Sequence, residues 1–283
     1  MIHEFLFSFV TFLFIYFLVA VSLNLTIGFT GLVNLGHMVF FGVGAYTSAI
    51  LTINGVPWYF AIIVAGVVAS ILGAIIASIT VRLKGDYFAM VTLGLVFIAI
   101  AVSRNWISLT RGALGLPGIP DIFRNNFYYT LFTIGVVTIA IIIIYFLTNS
   151  ETGKIFQAIR DDETATAILG KNTYFYKILS VAISTFFAGI AGSLFAHHLN
   201  FIDPTLFDLE LFVFILAILI SGGLASIKGT IVAGFILSVL ITLLRFVVVT
   251  PELIGPMRNM LFLVILILIL IYRPRGIFGR VDV

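Results

Sequence analysis

The sequence predicts an all-α protein, a polytopic transmembrane helix bundle of about eight or nine spans at roughly 20 apolar residues each. Hydrophobic residues make up 61% of the 283 residues and charged residues only 10%, against about 25% charged in an ordinary soluble domain. A soluble protein of this size lacks the polar surface to cover so many apolar side chains. This composition excludes a soluble enzyme and a nucleic-acid-binding protein. It also excludes an outer-membrane barrel, whose strands would be short alternating segments.

Nine apolar runs are candidates for the spans. The first, Phe5–Ile27, is uncharged, follows no Lys or Arg and is too long for a signal-peptide core, so we expect it to stay in the membrane. The second, Gly31–Ile53, is rich in glycine and polar residues, which favours a broken or re-entrant segment. The last, Asn259–Tyr272, is short. The others are Trp58–Val81, Tyr87–Ser103, Tyr128–Leu147, Ile178–Ala196, Leu209–Ala225 and Thr230–Val249. No loop is long enough to fold alone, so residues 1–283 are expected to form a single transmembrane domain.

The loop charges predict the orientation of this bundle. The loop Asn149–Lys177 and the tail from Arg273 carry Lys and Arg, as cytoplasmic segments do, whereas His197–Asp208 carries two Asp and neither Lys nor Arg. We therefore expect an external N-terminus and a cytoplasmic C-terminus. The loop Ser103–Phe127 disagrees, because it would be external and yet holds three Arg. The net charge of +3 reflects these loops and is not a nucleic-acid signal.

A glycine-rich segment around the second run is a candidate for the lining of a substrate path. Five glycines lie between residues 28 and 44, and glycine permits close backbone approach and an interrupted helix. The polar side chains of Asn34 and His37 cost free energy at membrane depth unless they have hydrogen-bond partners or line a water-filled path. Two interpretations stay open. One is a tight packing interface, and the other is a path lined by Asn34, His37, Gly42 and Gly44.

The loop Asn149–Lys177 contains a short amphipathic pattern. Its apolar residues fall on two helical faces, formed by Ile155, Phe156 and Ile159 and by Ala165, Ile168 and Leu169. Asp162 is placed to cap a second short helix, and Gly170 to end it in the left-handed conformation. A helix this short has little core of its own and needs a surface to lie on. That surface is either the membrane or the bundle itself, or a groove on a cytoplasmic partner.

Signatures of catalysis, metal binding and energy conversion are absent from the sequence. It has no cysteine and no P-loop pattern for ATP, and the adjacent His197 and His198 point about 100° apart on a helix, which does not suit a metal site. We expect no catalytic residues, no metal and no cofactor. An ion-driven carrier normally buries a carboxylate for its coupling ion, but every Asp and Glu lies in a loop or near the end of a run. Energy for transport is therefore expected from outside the chain.

Five segments, in order along nearly the whole chain, resemble the membrane subunits of branched-chain amino acid ABC importers. They are Asn34–His37 with Phe41–Tyr46, Thr110–Pro120, Gly153–Lys177, Gly222–Ser226 and Arg273–Gly279. The sequence departs from the family pattern at Arg111 and Ala225, where glycine is expected, and at Lys228, where an aromatic or apolar residue is expected. The family's Glu-Ala-Ala coupling motif is also weak, with Thr164–Thr166 in its place.

The resemblance implies a type II ABC importer-like permease in a prokaryotic plasma (inner) membrane. The partners that it implies are the lipid bilayer, a homologous second permease, two cytoplasmic ATPase subunits and an external substrate-binding protein, without nucleic acid. The residues expected to couple to the ATPases are Ile159, Arg160, Glu163, Ala165, Ile168, Leu169 and Gly170. The substrate would be leucine, isoleucine, valine or a relative, and the alternative is urea or another small amide or amino acid. A stand-alone secondary carrier or channel, and a membrane assembly protein without transport activity, are alternatives from other classes.

Overall fold

The computed structural model describes residues 2–83, 85–123, 125–207 and 209–247, together with residues 260, 263, 264, 267, 268, 276 and 278. Most of these residues are helical. The last predicted span, Asn259–Tyr272, lies largely outside the described residues. Lys84, Arg124 and the arginines of the C-terminal tail lie outside them as well.

The described chain folds into α-helices joined by short turns. The helices are α1 (Ile2–Asn24), α2 (His37–Ile53), α3 (Trp58–Thr80), α4 (Asp86–Asn105), α5 (Ile107–Thr110), α6 (Asn126–Asn149), α7 (Glu151–Asp161), α8 (Glu163–Ile168), α9 (Thr173–Leu199), α10 (Leu209–Gly222) and α11 (Ile227–Val247). A π-helical turn, Leu25–Phe29, extends α1. Two short strands, β1 (Leu116–Pro117) and β2 (Phe201–Ile202), pair antiparallel, and 3₁₀ turns lie at Gly112–Leu114 and Pro204–Phe207.

Within the described residues, five helices are long and apolar enough, by length and composition, to cross a membrane. They are α1 with its π-helical turn, α3, α4, α6 and α9. The shorter helices α2, α10 and α11 are apolar too. Each of these helices coincides with a predicted run, which confirms a helical protein with several candidate membrane spans. The total of eight or nine spans stays a prediction.

The second predicted run is not a continuous helix. Its first residues, 31–34, have no regular secondary structure, and α2 begins only at His37. Gly31, two residues after the π-helical turn, has φ +75°, a conformation that glycine adopts without strain. The backbone N–H of Leu35 donates to Thr92 Oγ1 at 3.1 Å, and that of Gly36 donates to Asn34 Oδ1 at 3.1 Å. Side chains therefore satisfy backbone groups that the interrupted helix leaves unpaired.

The connecting segments gather at two opposite ends of the bundle. At one end, here called the ribbon end, the β1–β2 pair joins the loop after α4 to the loop after α9. The rings of Phe7 and Phe127 pack 5.5 Å apart, which places the start of α1 at this end too. The predicted loops Ser103–Phe127 and His197–Asp208 therefore lie on the same side, despite their different charge.

The opposite end, here called the α7 end, contains α7, α8, the π-helical turn and the α10–α11 loop. Arg160 Nη1 donates to the carbonyl oxygen of Gly28 at 2.9 Å, and Asn24 Oδ1 accepts from the backbone N–H of Ala225 at 3.0 Å. The backbone N–H of Phe278 donates to the carbonyl oxygen of Gly222 at 3.1 Å. This residue of the predicted tail motif therefore lies at the α7 end, away from the start of α1.

Helix α9 is the centre of the bundle and packs on α1, α2 and α3 through small residues. A Cβ atom at Gly192 would overlap the carbonyl oxygen of Phe41, and one at Gly44 would overlap the backbone of Gly189. Lipid tails are as apolar as the side chains, so close backbone packing has to replace the hydrophobic effect between such helices. The structure thus confirms that the small residues 188–193 form a packing surface.

The α2–α9 contact predicts a difference between two glycine-to-alanine variants. Gly192→Ala adds a methyl group where Phe41 leaves no room, and overpacking of this kind costs about 1–3 kcal/mol. We expect a lower melting temperature for this variant in detergent. Gly135→Ala in α6 is the matched control, because its Cβ would meet nothing within 4 Å and alanine favours helix. Equal melting temperatures for the two variants would contradict the close α2–α9 contact.

Candidate functional site

Helices α7 and α8 form a short helical pair between α6 and α9. Ser150 caps α7 by accepting from the backbone N–H of Gly153, where a Cβ atom would overlap the end of α6. Asp162 caps α8, since its Oδ1 accepts from the backbone N–H of Ala165 at 2.9 Å. Gly170 follows α8 with φ +79°. The predicted cap at Asp162 and the left-handed Gly170 are therefore both confirmed.

One face of α7 is part of the core of the chain. Phe156 and Ile159 are buried, and the Phe156 ring packs edge-on against Tyr176 of α9 at 6.4 Å. The Ile159 side chain is therefore covered by its own chain, and its expected contact with an ATPase stays a prediction. The pattern of apolar residues predicted an amphipathic helix, but it could not tell which face the bundle itself would cover.

Arg160 also points inward. Its guanidinium donates to the carbonyl oxygen of Gly28 through Nη1 at 2.9 Å and pairs with Asp161 through Nη2 at 2.8 Å. The Arg160 side chain is 15% exposed. A Cβ atom on Gly31 would lie 3.0 Å from Arg160 Cγ, so glycine is needed for the approach. The glycine-rich segment and the amphipathic loop, two separate features of the sequence, are in direct contact.

Two Glu–Lys ion pairs hold this region, one at its surface and one beneath it. Glu163 Oε2 lies 2.5 Å from Lys177 Nζ, and the Lys177 side chain is almost fully covered. This pair ties α8 to α9. Glu151 and Lys154 form an exposed pair at 2.8 Å, and the hydrogen bond from Lys154 lowers the pKa of the Glu151 carboxyl. The exposed pair lies within α7 and contributes little to stability, whereas the Glu163–Lys177 pair joins α8 to α9.

The outer face of α8 and the residues that follow it is apolar and exposed. Ile168 is 81% and Leu169 is 79% exposed, while Ala165 and Gly170 are exposed beside them. Thr166, on the opposite face, is buried and donates to the carbonyl oxygen of Asp162 at 2.8 Å. The predicted face of Ala165, Ile168 and Leu169 thus has no cover from its own chain among the described residues.

The four residues predicted to line a substrate path are all buried within the chain. Asn34 accepts from Gly36, and His37 Nε2 lies 2.9 Å from Ser22 Oγ of α1. Gly44 packs against the backbone of Gly189, and its assignment to the wall of a path stays a prediction. The packing interpretation therefore accounts for Gly44, and local hydrogen bonds account for Asn34.

Asn24 is a structural residue that the sequence analysis did not single out. Its Oδ1 accepts from the backbone N–H of Ala225 at 3.0 Å, and its Nδ2 donates to Thr230 Oγ1 at 2.8 Å. These bonds fix the α10–α11 loop against α1. The available signal was a lone amide inside the apolar run Phe5–Ile27, where an unpaired polar group would be costly.

Both positions at which this chain lacks an expected glycine have positive φ. Arg111 has φ +59° and Ala225 has φ +58°. This left-handed region favours glycine because a Cβ atom crowds the backbone there. This geometry agrees with the glycine expected at both positions, although the residue here is not glycine.

The comparisons with known proteins decide the family. A family described as "Branched-chain amino acid transport system / permease component" matches residues 5–270. The chain belongs to this permease family. It is 30% identical to the high-affinity branched-chain amino acid transport system permease protein LivM of Escherichia coli K12, over 93% of this chain and 67% of the relative. It is 27% identical to LivH of the same organism, over 95% and 92%. It is also 26% identical to the probable LivM of Methanocaldococcus jannaschii, over 93% and 90%.

A solved structure shares the fold of this permease. The match is to a chain of PsaBC from Streptococcus pneumoniae in complex with Fab, with a TM-score of 0.51 at 16% identity. It covers 96% of this chain and 93% of the other. At this low identity the likeness concerns the arrangement of the helices alone.

Proposed function

We propose that this permease is a subunit of an ATP-driven ABC importer, which forms the translocation path for leucine, isoleucine, valine or a relative together with a second permease. The observation that carries the proposal is the family match over residues 5–270. LivM and LivH of Escherichia coli K12 are both named as permease proteins of a high-affinity branched-chain amino acid transport system, and this chain is similar to each. This supports a homologous second permease as the partner.

The proposed membrane arrangement has eight or nine spans, an external N-terminus and a cytoplasmic C-terminus in a prokaryotic inner membrane. Support comes from α3, α4 and α6, whose outward sides expose large apolar residues to the surroundings, as a lipid-facing surface does. Lys154, Arg160, Lys171 and Lys177 lie at the α7 end, which favours the cytoplasmic side for that end. The ribbon end would then be external and would face the substrate-binding protein.

The proposed coupling surface is the exposed apolar face of Ala165, Ile168 and Leu169, with Gly170 as its end. An apolar helical face in water is favoured when it inserts into a groove on a partner. The partner we propose is one of two cytoplasmic ATPase subunits, since the chain itself has no P-loop. Glu163, through Lys177, holds α8 on α9, so a displacement of α8 reaches α9, a helix of 27 residues.

The proposed substrate path runs beside the interrupted segment before α2. Interrupted helices in membrane carriers are typical of substrate sites. The candidates for this path are Asn34, His37, Gly42 and Gly44. In the described chain these residues are buried. The proposal therefore requires α1 and α2 to move apart, or the second permease to complete the opening, during transport.

Reconstitution tests the proposed class of transporter. The purified chain in liposomes should neither hydrolyse ATP nor accumulate leucine under an ion gradient, because its sequence has no P-loop and places no carboxylate in the middle of an apolar run. Uptake should require a second permease, two ATPase subunits and a substrate-binding protein as well. Leucine uptake by the chain alone, driven by an ion gradient, would contradict the proposal and favour a secondary carrier. Urea uptake by the full complex without leucine uptake would correct the substrate.

The orientation is testable with single cysteines, because the chain has none of its own. Ala167→Cys reports on the α7 end and Thr205→Cys on the ribbon end, and both positions are exposed. Thr166 does not suit this purpose because it is buried. An impermeant maleimide added to intact cells should label Thr205→Cys and leave Ala167→Cys unlabelled until the cells are opened. The reverse pattern would invert the proposed orientation.

The coupling surface predicts the effect of a charge at Ala165. In the variant Ala165→Glu a carboxylate would be desolvated in the ATPase groove, and burying an unpaired charge costs several kcal/mol. We expect the ATPases to dissociate from the permease pair in a pull-down, and uptake to be lost. Ala167→Glu is the control, because it is the same substitution at an exposed position about 200° around the helix from Ala165. Normal uptake with Ala165→Glu would show that the ATPases bind elsewhere.

A further inference from the structure

The C-terminal end of α1, with its π-helical turn, carries the partial negative charge of the helix dipole and lies against α7. In the π-helical turn the backbone N–H of Gly31 donates to Ile27 and that of Leu32 donates to Thr26. The carbonyl of Gly28 accepts instead from Arg160 Nη1, at 2.9 Å. Carbonyl groups at a helix C-terminus carry partial negative charge and need partners, and a cation is the favoured one. Arg160 therefore binds the end of the first long helix.

The guanidinium of Arg160 is fixed from a second side. Asp161 Oδ1 lies 2.9 Å from Arg160 Nε and 2.8 Å from Nη2, while Nη1 is bound to Gly28. The stem of the side chain lies against Gly31, whose Cβ, if present, would be 3.3 Å from Arg160 Cα. A planar guanidinium held in two directions transmits a displacement better than a single flexible contact.

The π-helical turn has contacts with two other parts of the bundle. Thr30 Oγ1 lies 2.6 Å from Ser180 Oγ of α9, and Asn24 binds Ala225 in the α10–α11 loop. The same turn leads directly into the interrupted segment before α2. A displacement of this turn therefore acts on α9, on the α10–α11 loop and on the start of α2 together.

We propose that Arg160 is a positioning residue that transmits movement of α7 to the π-helical turn of α1, and through it to the interrupted segment Gly31–Gly36. The proposal rests on the proposed function, since it gives the route by which ATPase-driven movement reaches the candidate path. It also assigns Arg160 an inward role in place of the ATPase contact that the sequence suggested. The apolar contact of Ile159 anchors α7, but only Arg160 among the α7 side chains makes a charged hydrogen bond to α1 in the described residues.

The test is made in the complete importer. It compares two substitutions of Arg160, on the inward face of α7, with one substitution on the exposed face of the same helix. Arg160→Gln removes the charge and the guanidinium that binds both Gly28 and Asp161. Arg160→Lys keeps the charge but not the planar guanidinium. Lys154→Gln is the control, because Lys154 is exposed and pairs only with Glu151 among the described residues. Leucine uptake per ATP hydrolysed should fall about tenfold in Arg160→Gln, which is within the usual range of coupling between sites. Arg160→Lys should be intermediate, and Lys154→Gln should resemble the parent protein.

A second measurement does not depend on transport. Hydrogen exchange of the purified full-length chain should be faster at the amides of Gly31 and Leu32 in Arg160→Gln, and unchanged in α3. Parent-like exchange at these amides together with parent-like uptake per ATP would overturn the proposal. Dissociation of the ATPases from Arg160→Gln would overturn it too, because Arg160 would then serve assembly. Failure of the parent complex to take up amino acids would instead refute the proposed function, and hydrogen exchange would still test the link from Arg160 to α1.

Discussion

Close packing of α9 against its neighbours is the constraint on which the rest of the structure depends. In lipid, the helices gain no hydrophobic free energy from burying one another, so contact at backbone distance has to hold them. Gly44 and Gly189, and Gly192 and Phe41, provide that contact between α2 and α9. Along its length the same helix supplies Lys177 to α8 and Ser180 to the π-helical turn, and it leads into β2 at its end. A shift of α9 would therefore displace its contacts at both ends of the bundle.

The second requirement is that the interrupted segment satisfies its own polar groups. A break between helices exposes N–H and C=O groups, and in an apolar environment each one left unpaired is costly. Here the partners are side chains from other elements: Thr92 for Leu35, Asn34 for Gly36 and Arg160 for Gly28. The break is thus stable only in the assembled bundle. The same contacts make it sensitive to movement of the elements that supply them.

The sequence predicted much of the fold because its signals are compositional and local. Apolar runs located the long helices, and Asp162 and Gly170 predicted the ends of α8. The directions of Ile159 and Arg160 could not be predicted, because helical periodicity gives two faces without saying which one the bundle covers. Gly44 was assigned to a path because glycine suits both a path and a packing contact, and only the position of Gly189 separates the two. The role of Asn24 depends on Ala225 and Thr230, which are far away in the sequence.

The β1–β2 ribbon has a consequence for the biogenesis of the protein. β1 is synthesised well before β2, and α6 to α9 lie between them in the sequence. The two strands can meet only if α6 and α9 have entered the membrane in opposite directions, because otherwise β2 would be left on the other side of the bilayer. Closure of the ribbon therefore occurs only in a correctly inserted chain. The pair of two-residue strands therefore forms only after α9 has been synthesised and inserted.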